Sequence, residues 1–288
     1  MFFKILVPLS LFVFTTTPLC AKDLAAGIEK TAQKSYMTNE PTIWHLNHSG
    51  FAIKTKKHFL IFDYCDPQPA VAGKKGLAAG IIDPEEIKDE NVLVFVSHEH
   101  DDHFNPIIAS WQQGVGKIKY IVSPEVAKSD PHFATDVKPN LIETYPDSKA
   151  IVEGVAITTI KATDSGIGFM IECDGLIVFH AGDHALWERN AEAAYQTEIR
   201  KLKGSKIDIA FLPLQPFHPN KEVIREGAVW AVKELSPNTV VPMHLFGQYA
   251  EGDLFVETIR EQKLSSQGVC MSKRGQAYLY KDGSLKAI

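Results

Sequence analysis

Apolar and polar residues alternate along Thr42–His48 and again along Phe51–Thr55, with Ser49-Gly50 between the two runs. A two-residue period sends successive side chains to opposite faces, so the pattern predicts two half-buried strands joined by a tight turn. His58–Tyr64 predicts a third strand, and Pro67–Gly80, rich in proline, glycine and alanine, a loop. Asp83-Pro84-Glu85-Glu86 then combines a capping carboxylate, a proline at the first helical position and an acidic first turn, which opens a short helix. Asn91–Ser97 reads NVLVFVS, apolar at nearly every position. Such a run predicts a strand covered on both faces.

Asn105-Pro106 opens another helix by the same capping logic, and Gly114 stops it. Further strands are predicted near Ile118–Val122, Val155–Ala162, Ile167–Cys173, Leu176–Phe179, Ile207–Leu212, Thr239–Met243 and Ala277–Tyr280. Helical periodicity covers Trp187–Leu202, Lys221–Leu235 and Leu254–Gln262. Strands come first, then strand alternates with helix, without a linker-like stretch. That order predicts one mixed α/β unit over 41–288, with helices outside packed sheets.

The N-terminus has a different texture. An apolar run, Ile5–Leu19, follows Lys4 and precedes small residues at Cys20 and Ala21 and the charged pair Lys22-Asp23. This is the layout of a signal peptide over residues 1–21, followed by a polar leader over 22–40. It predicts export to the periplasm or the medium, with no stable membrane span. Leu19-Cys20 also suggests a lipoprotein site, although Thr17 and Pro18 stand where such sites prefer small residues. The chain carries a net charge of −5, which disfavours a sequence-blind nucleic-acid binder. Cys65, Cys173 and Cys270 leave room for one disulfide and lack metal-type spacing, so the core must supply the stability.

The chemistry concentrates at strand ends. Ser97-His98-Glu99-His100-Asp101-Asp102-His103 directly follows the buried apolar run. If the chain stays extended, His98, His100 and Asp102 project to one side, and His103 approaches as the chain turns toward Asn105. Neutral imidazoles and carboxylates are ligands for zinc, ferrous iron or manganese. LIVFHAGD (Leu176–Asp183) is a second buried strand, ending in a small-residue turn and a carboxylate. VVPMH (Val240–His244) repeats the design with an imidazole.

H-x-H-x-D-H, then a strand ending Gly-Asp, then Pro-Met-His, resembles the metallo-β-lactamase superfamily. Within it, the resemblance points to the branch of ascorbate-phosphate-type lactonases and phospholipase-D-like phosphodiesterases. His45–Phe51 resembles that branch's first hairpin and Ile61-Phe62-Asp63 its next strand end, so the likeness spans residues 42 to 246. It implies a four-layer αββα sandwich with a metal site at one edge of the two sheets. It further implies two divalent ions, zinc first, with manganese or ferrous iron as alternatives. His98 and His100 would hold one ion, Asp102, His103 and His244 the other, and Asp183 would bridge them. The family's further histidine for the first ion is missing: Lys161–Gly168 reads KATDSGIG, and Asp164 is the replacement candidate.

Asp102 and His103 are also the candidate catalytic residues. His48, Asp63, His180, His184 and His218 are candidates for supporting or pocket roles, with His45 behind the site. The loops Asp66–Ile82, Asp130–Asn140 and Pro213–Asn220 are candidates for substrate contact. The implied activity is hydrolysis of an ester, lactone or phosphodiester small molecule by a metal-bound hydroxide. An exported β-lactamase and a non-catalytic metal-binding protein on the same fold are the alternatives. The oligomeric state is left open.

Overall fold

Leu60 and Phe62 pack into one apolar cluster while Phe59 and Ile61, on the same strand, pack into another. Successive side chains of this strand therefore belong to two covered faces of one sheet. The computed structural model describes residues 40–70 and 72–288; the predicted signal peptide and nearly all of the leader lie outside them.

In chain order the strands begin with β1 (Thr42–Asn47), β2 (Gly50–Lys54), β3 (His58–Phe62), β4 (Asn91–Val96) and β5 (Lys117–Val122). Then come β6 (Leu141–Glu143), β7 (Lys149–Val152), β8 (Val155–Lys161), β9 (Ile167–Cys173) and β10 (Leu176–His180). The last are β11 (Ile209–Pro213), β12 (Thr239–Met243), β13 (Gln267–Gly268), β14 (Ala277–Lys281) and β15 (Ser284–Ala287). The helices are α1 (Pro84–Ile87), α2 (Pro124–Ser129), α3 (Pro131–Asp136), α4 (Glu192–Arg200), α5 (Lys221–Leu235) and α6 (Tyr249–Glu261).

One sheet runs β15-β14-β1-β2-β3-β4-β5-β6 and the other β13-β12-β11-β10-β9-β8-β7. Both are mixed: β3 to β6 are parallel, as are β10 to β13, and the remaining pairings are antiparallel. The larger apolar cluster joins Phe51, Phe62 and Phe95 of the first sheet to Phe169, Phe179 and Phe211 of the second, and takes in α5 and α6 through Val232 and Phe255. The smaller cluster, with Val92, Val94 and Trp111, covers the first sheet's outer face. Helix, sheet, sheet, helix is the four-layer arrangement expected from the sequence.

Several local readings change. Pro106–Gln113 is a tight 3-10 helix, capped as expected by Asn105. The last helix begins at Tyr249, five residues before the predicted Leu254. Asp130–Asn140, read as a substrate loop, is largely helical: Asp130 caps α3, and Phe133 buries itself against Phe104 and Tyr120. Cys65, Cys173 and Cys270 are all free, so the described chain has no disulfide.

Candidate metal centre

Parallel strands of both sheets end at one edge of the sandwich, and their ends carry the polar residues. After β4 the chain leaves the extended form. The N–H groups of His103 and Phe104 both donate to the His100 carbonyl, closing a turn. The extended alternation expected through Asp102 therefore stops at Val96, and the turn separates Asp102 and His103 from His98 and His100. Two groups result: His98, His100 and Asp183 converge in one, and His48, Asp102, His103 and His244 in the other. Asp183 reaches both, with Oδ2 3.5 Å from His98 Nε2 and from His244 Nε2, and Oδ1 3.1 Å from His103 Nε2.

The backbone around these groups adopts conformations that side chains rarely tolerate. His48, Asp63, His244 and Phe246 have φ of 50°, 41°, 61° and 48°. Left-handed backbone at non-glycine residues is held only where surrounding structure enforces it, and it gathers at functional sites. Gly182 (φ 54°) shows how close the packing is: a Cβ there would lie 2.7 Å from the Ile167 carbonyl oxygen and 2.8 Å from Ser97 Cβ. Glycine alone lets the Asp183 turn press against the start of the His98 segment.

Hydrogen bonds behind the groups set the imidazole tautomers. His103 Nδ1 donates to Asp63 Oδ2 at 2.7 Å, which leaves the Nε2 lone pair facing Asp183. His98 Nδ1 donates to Ser97 Oγ (2.9 Å), whose hydroxyl donates to Asp63 Oδ2 (2.8 Å). His244 Nδ1 donates to the Leu214 carbonyl at 3.2 Å, turning its Nε2 toward Asp102 and Asp183. Such partners orient metal-binding imidazoles and raise their basicity.

What lies in front of these nitrogens tests whether a cation fits. His103 Nε2 and Asp183 Oδ1 are buried and 3.1 Å apart, yet neither has an aligned hydrogen-bond partner. His48 Nε2 is likewise buried without one, 3.2 Å from Asp102 Oδ2. Lone pairs facing one another in a buried site call for a positive charge between them. Burial opposes the charged form of His103, but the Asp183 and Asp63 carboxylates outweigh it and hold its pKa well above the ordinary value. His244 behaves alike: burial opposes its charge, Asp183 and Asp102 favour it, and its pKa is pushed up to about 9. Burial also works against the ionised forms of Asp183 and Asp102, yet neighbouring histidines hold both below the usual carboxylate range. His98 and His48 are pushed down to about 4, chiefly by burial, so they stay neutral and free to ligate. Imidazole, carboxylate and buried unpaired lone pairs together fit a divalent ion.

The remaining sequence candidates divide. Asp63 stands behind His103, with its Oδ2 2.7 Å from His103 Nδ1. His180 is fully buried, with its Nε2 2.8 Å from the Ser49 carbonyl and its ring stacked on Phe62. His218 lines a cleft with Phe217 and Phe246. His184 does not join the site: its ring stacks on Tyr195 of α4 and its Nε2 meets the Tyr195 carbonyl. His45 packs between Phe51 and Tyr249. Asp164 lies in neither group, because the Thr163–Gly166 turn leaves it exposed. That turn nevertheless borders the His98 segment. Ser165 Oγ donates to Glu99 at 3.2 Å, and a Cβ on Gly166 would come 2.0 Å from the Ser97 carbonyl oxygen.

The comparisons agree with this geometry. A family profile described as a β-lactamase superfamily domain matches residues 42–244, most of the chain. A UPF0173 metal-dependent hydrolase from Thermococcus kodakarensis is 28% identical over 209 residues, covering 69% of this chain and 82% of that protein. Another from Thermoplasma acidophilum is 27% identical over 229 residues, covering 72% and 84%. Among solved structures, the metallo hydrolase Igni18 from Ignicoccus hospitalis superposes with a TM-score of 0.59 at 21% identity, over 84% of this chain and 98% of its own. CmlA, a diiron β-hydroxylase from Streptomyces venezuelae, shares the fold with a TM-score of 0.58 at 12% identity, over 90% of this chain and 59% of its own. One fold thus serves more than one reaction. By its domain match, its two-sheet architecture and its strand-end histidines and aspartates, the chain belongs to the metallo-β-lactamase superfamily, as one of its metal-dependent hydrolases.

Proposed function

We propose that the two groups hold two divalent ions, zinc first and manganese or ferrous iron as alternatives, for hydrolysis of a small carboxylic ester, lactone or phosphodiester. In this reading His98 and His100 hold one ion, with Asp164 drawn in from its turn. Asp102, His103 and His244 hold the other, joined by His48, and Asp183 bridges the pair. The observation that carries the reading is the buried, unaligned meeting of His103 Nε2 with Asp183 Oδ1. When bound, such ions polarise a carbonyl or phosphoryl oxygen and make a water acidic enough to attack near neutral pH.

The chain's own residues orient and exclude. Asp63 and the Leu214 carbonyl fix His103 and His244, so the geometry does not have to be found during reaction. Asp102 is the most open of the convergent carboxylates, with 35% of its side chain exposed, and sits ionised between His48 and His244, where it can hold the ion at the side open to substrate. Cys65 lines the adjacent cleft, but burial first and Asp66 next push its thiol up to about 12, so it is no thiolate nucleophile.

A panel of aryl esters, lactones, phosphodiesters and a chromogenic cephalosporin, given to metal-reconstituted protein, tests the reading. Esters, lactones or diesters are expected to turn over fastest. A preference for the cephalosporin would replace the reading with a β-lactamase, and full metal without turnover would replace it with a metal-binding protein. We also propose export, on the strength of the Ile5–Leu19 run and Cys20-Ala21. Intact-mass measurement of exported protein should show residues 1–21 missing. A full-length chain confined to the cytoplasm would contradict export, and lipid on Cys20 would mark a lipoprotein instead.

A further inference from the structure

Two open clefts flank the metal groups and meet at Phe246. The first, of about 400 Å³, is lined by His48, Cys65, Asp66, Asp101 and Asp102. The second, of about 280 Å³, is lined by Gln215, Phe217, His218 and Pro219. Phe217 is 68% exposed and Phe246 43%, with ring centroids 6.1 Å apart. The Phe246 ring also lies 4.2 Å from the ring of His48 and 5.0 Å from that of His244, so the aromatic rim is continuous with the metal groups. Paired aromatic rings left in water beside a reactive centre mark a surface that a ligand covers.

Charge narrows the ligand. No lysine or arginine lines either cleft. Arg274 approaches Asp66, but it is held there by Asp66 Oδ2 (2.8 Å) and the carbonyls of Gln68 (2.9 Å) and Gly80 (3.1 Å). That pairing neutralises Asp66, and Asp102 faces His48 and His244. The exposed carboxylate of Asp101 is what remains at the rim. Bound ions would meet an anion at the reacting centre, but beyond them the rim offers a charged substrate no guanidinium or ammonium, only the Asp101 carboxylate of the opposite sign.

Resting on the hydrolase reading above, we propose that the preferred substrate is an uncharged carboxylic ester or lactone whose apolar acyl or aryl group lies against Phe217 and Phe246. The test uses reconstituted full-length protein and p-nitrophenyl esters of increasing acyl length. kcat/KM is expected to rise about twofold to fourfold per methylene over the first few carbons. The hemiadipate ester, which ends the hexanoate chain in a carboxylate, should fall about tenfold or more below the hexanoate. Phe217→Ala and Phe246→Ala should flatten the chain-length dependence, and leucine at either position should restore part of it. Calorimetric binding of an uncharged alkyl ketone analogue of the hexanoate should weaken in the same alanine variants, independently of turnover. A flat chain-length series, a hemiadipate as good as the hexanoate, or bis(p-nitrophenyl) phosphate as the best substrate would each overturn the inference while leaving a hydrolase. Metal-loaded protein inert toward every ester and diester would overturn the hydrolase reading itself, and this inference with it.

Discussion

Asp183 joins the two groups because its Oδ2 faces His98 of one and His244 of the other, while its Oδ1 faces His103. The sequence marks Asp183, His98, His100, Asp102, His103 and His244 as ligand-type residues at strand ends, and the bridging part of Asp183 is what the resemblance implies. His48 was read as a supporting residue. Its side chain enters the second group because the β1–β2 turn takes a left-handed φ of 50°, and no spacing pattern in the sequence announces such a turn at a histidine. Asp164 shows the reverse. Its position in the sequence suggests a ligand, yet the turn leaves it exposed beside the His98 segment. If it closes on the first ion, Asp164→Ala should lose one metal and most activity, and Asp164→His should keep both. Full metal content and rate in the alanine variant would reduce Asp164 to a turn residue.

At the scale of elements, long apolar strands such as β4 and β10 were easily read, and so was α5. The missed pieces, β6, β7, β13, β15, α2 and α3, have six residues or fewer and are partly exposed, so their patterns are too short to show a period. One structural device needs the tertiary fold to be seen at all. At Asp174, on the β9–β10 turn, Oδ2 accepts from Thr55 Oγ1 (2.7 Å) and Lys57 N (2.8 Å) and meets His58 Nδ1 at 3.1 Å. His58 Nε2 is also 3.0 Å from the Glu153 carbonyl, so the turns of both sheets are tied together. Burial opposes the charge on Asp174, but the Thr55 and His58 hydrogen bonds outweigh it and hold its pKa below the ordinary value. A depressed carboxylate pKa adds stability above the unfolded pKa, and that stability is lost as pH falls through the folded one. Asp174→Asn should therefore cost about 1–3 kcal/mol at neutral pH. Thermal melts should show the gap to wild type closing at acid pH, and a gap of constant size would refute this account of the clasp.

Taken as a whole, the molecule places its chemistry where two sheets end together. The mixed α/β unit and the ligand-type residues at strand ends were legible because the apolar runs are long and each ends in such residues, whereas the four-layer arrangement was implied only by the resemblance to the superfamily. The division into two groups was implied by the resemblance, but the turn from His100 to Phe104 that produces it was passed over by the extended reading of the strand end. The central claim is that these strand ends hold divalent ions on which hydrolysis depends. Elemental analysis of purified protein, beside His98→Ala and His244→Ala, tests it most directly. We expect up to two divalent ions per wild-type chain, with lower occupancy and loss of turnover in each variant. Unchanged metal content in both variants would contradict the assignment.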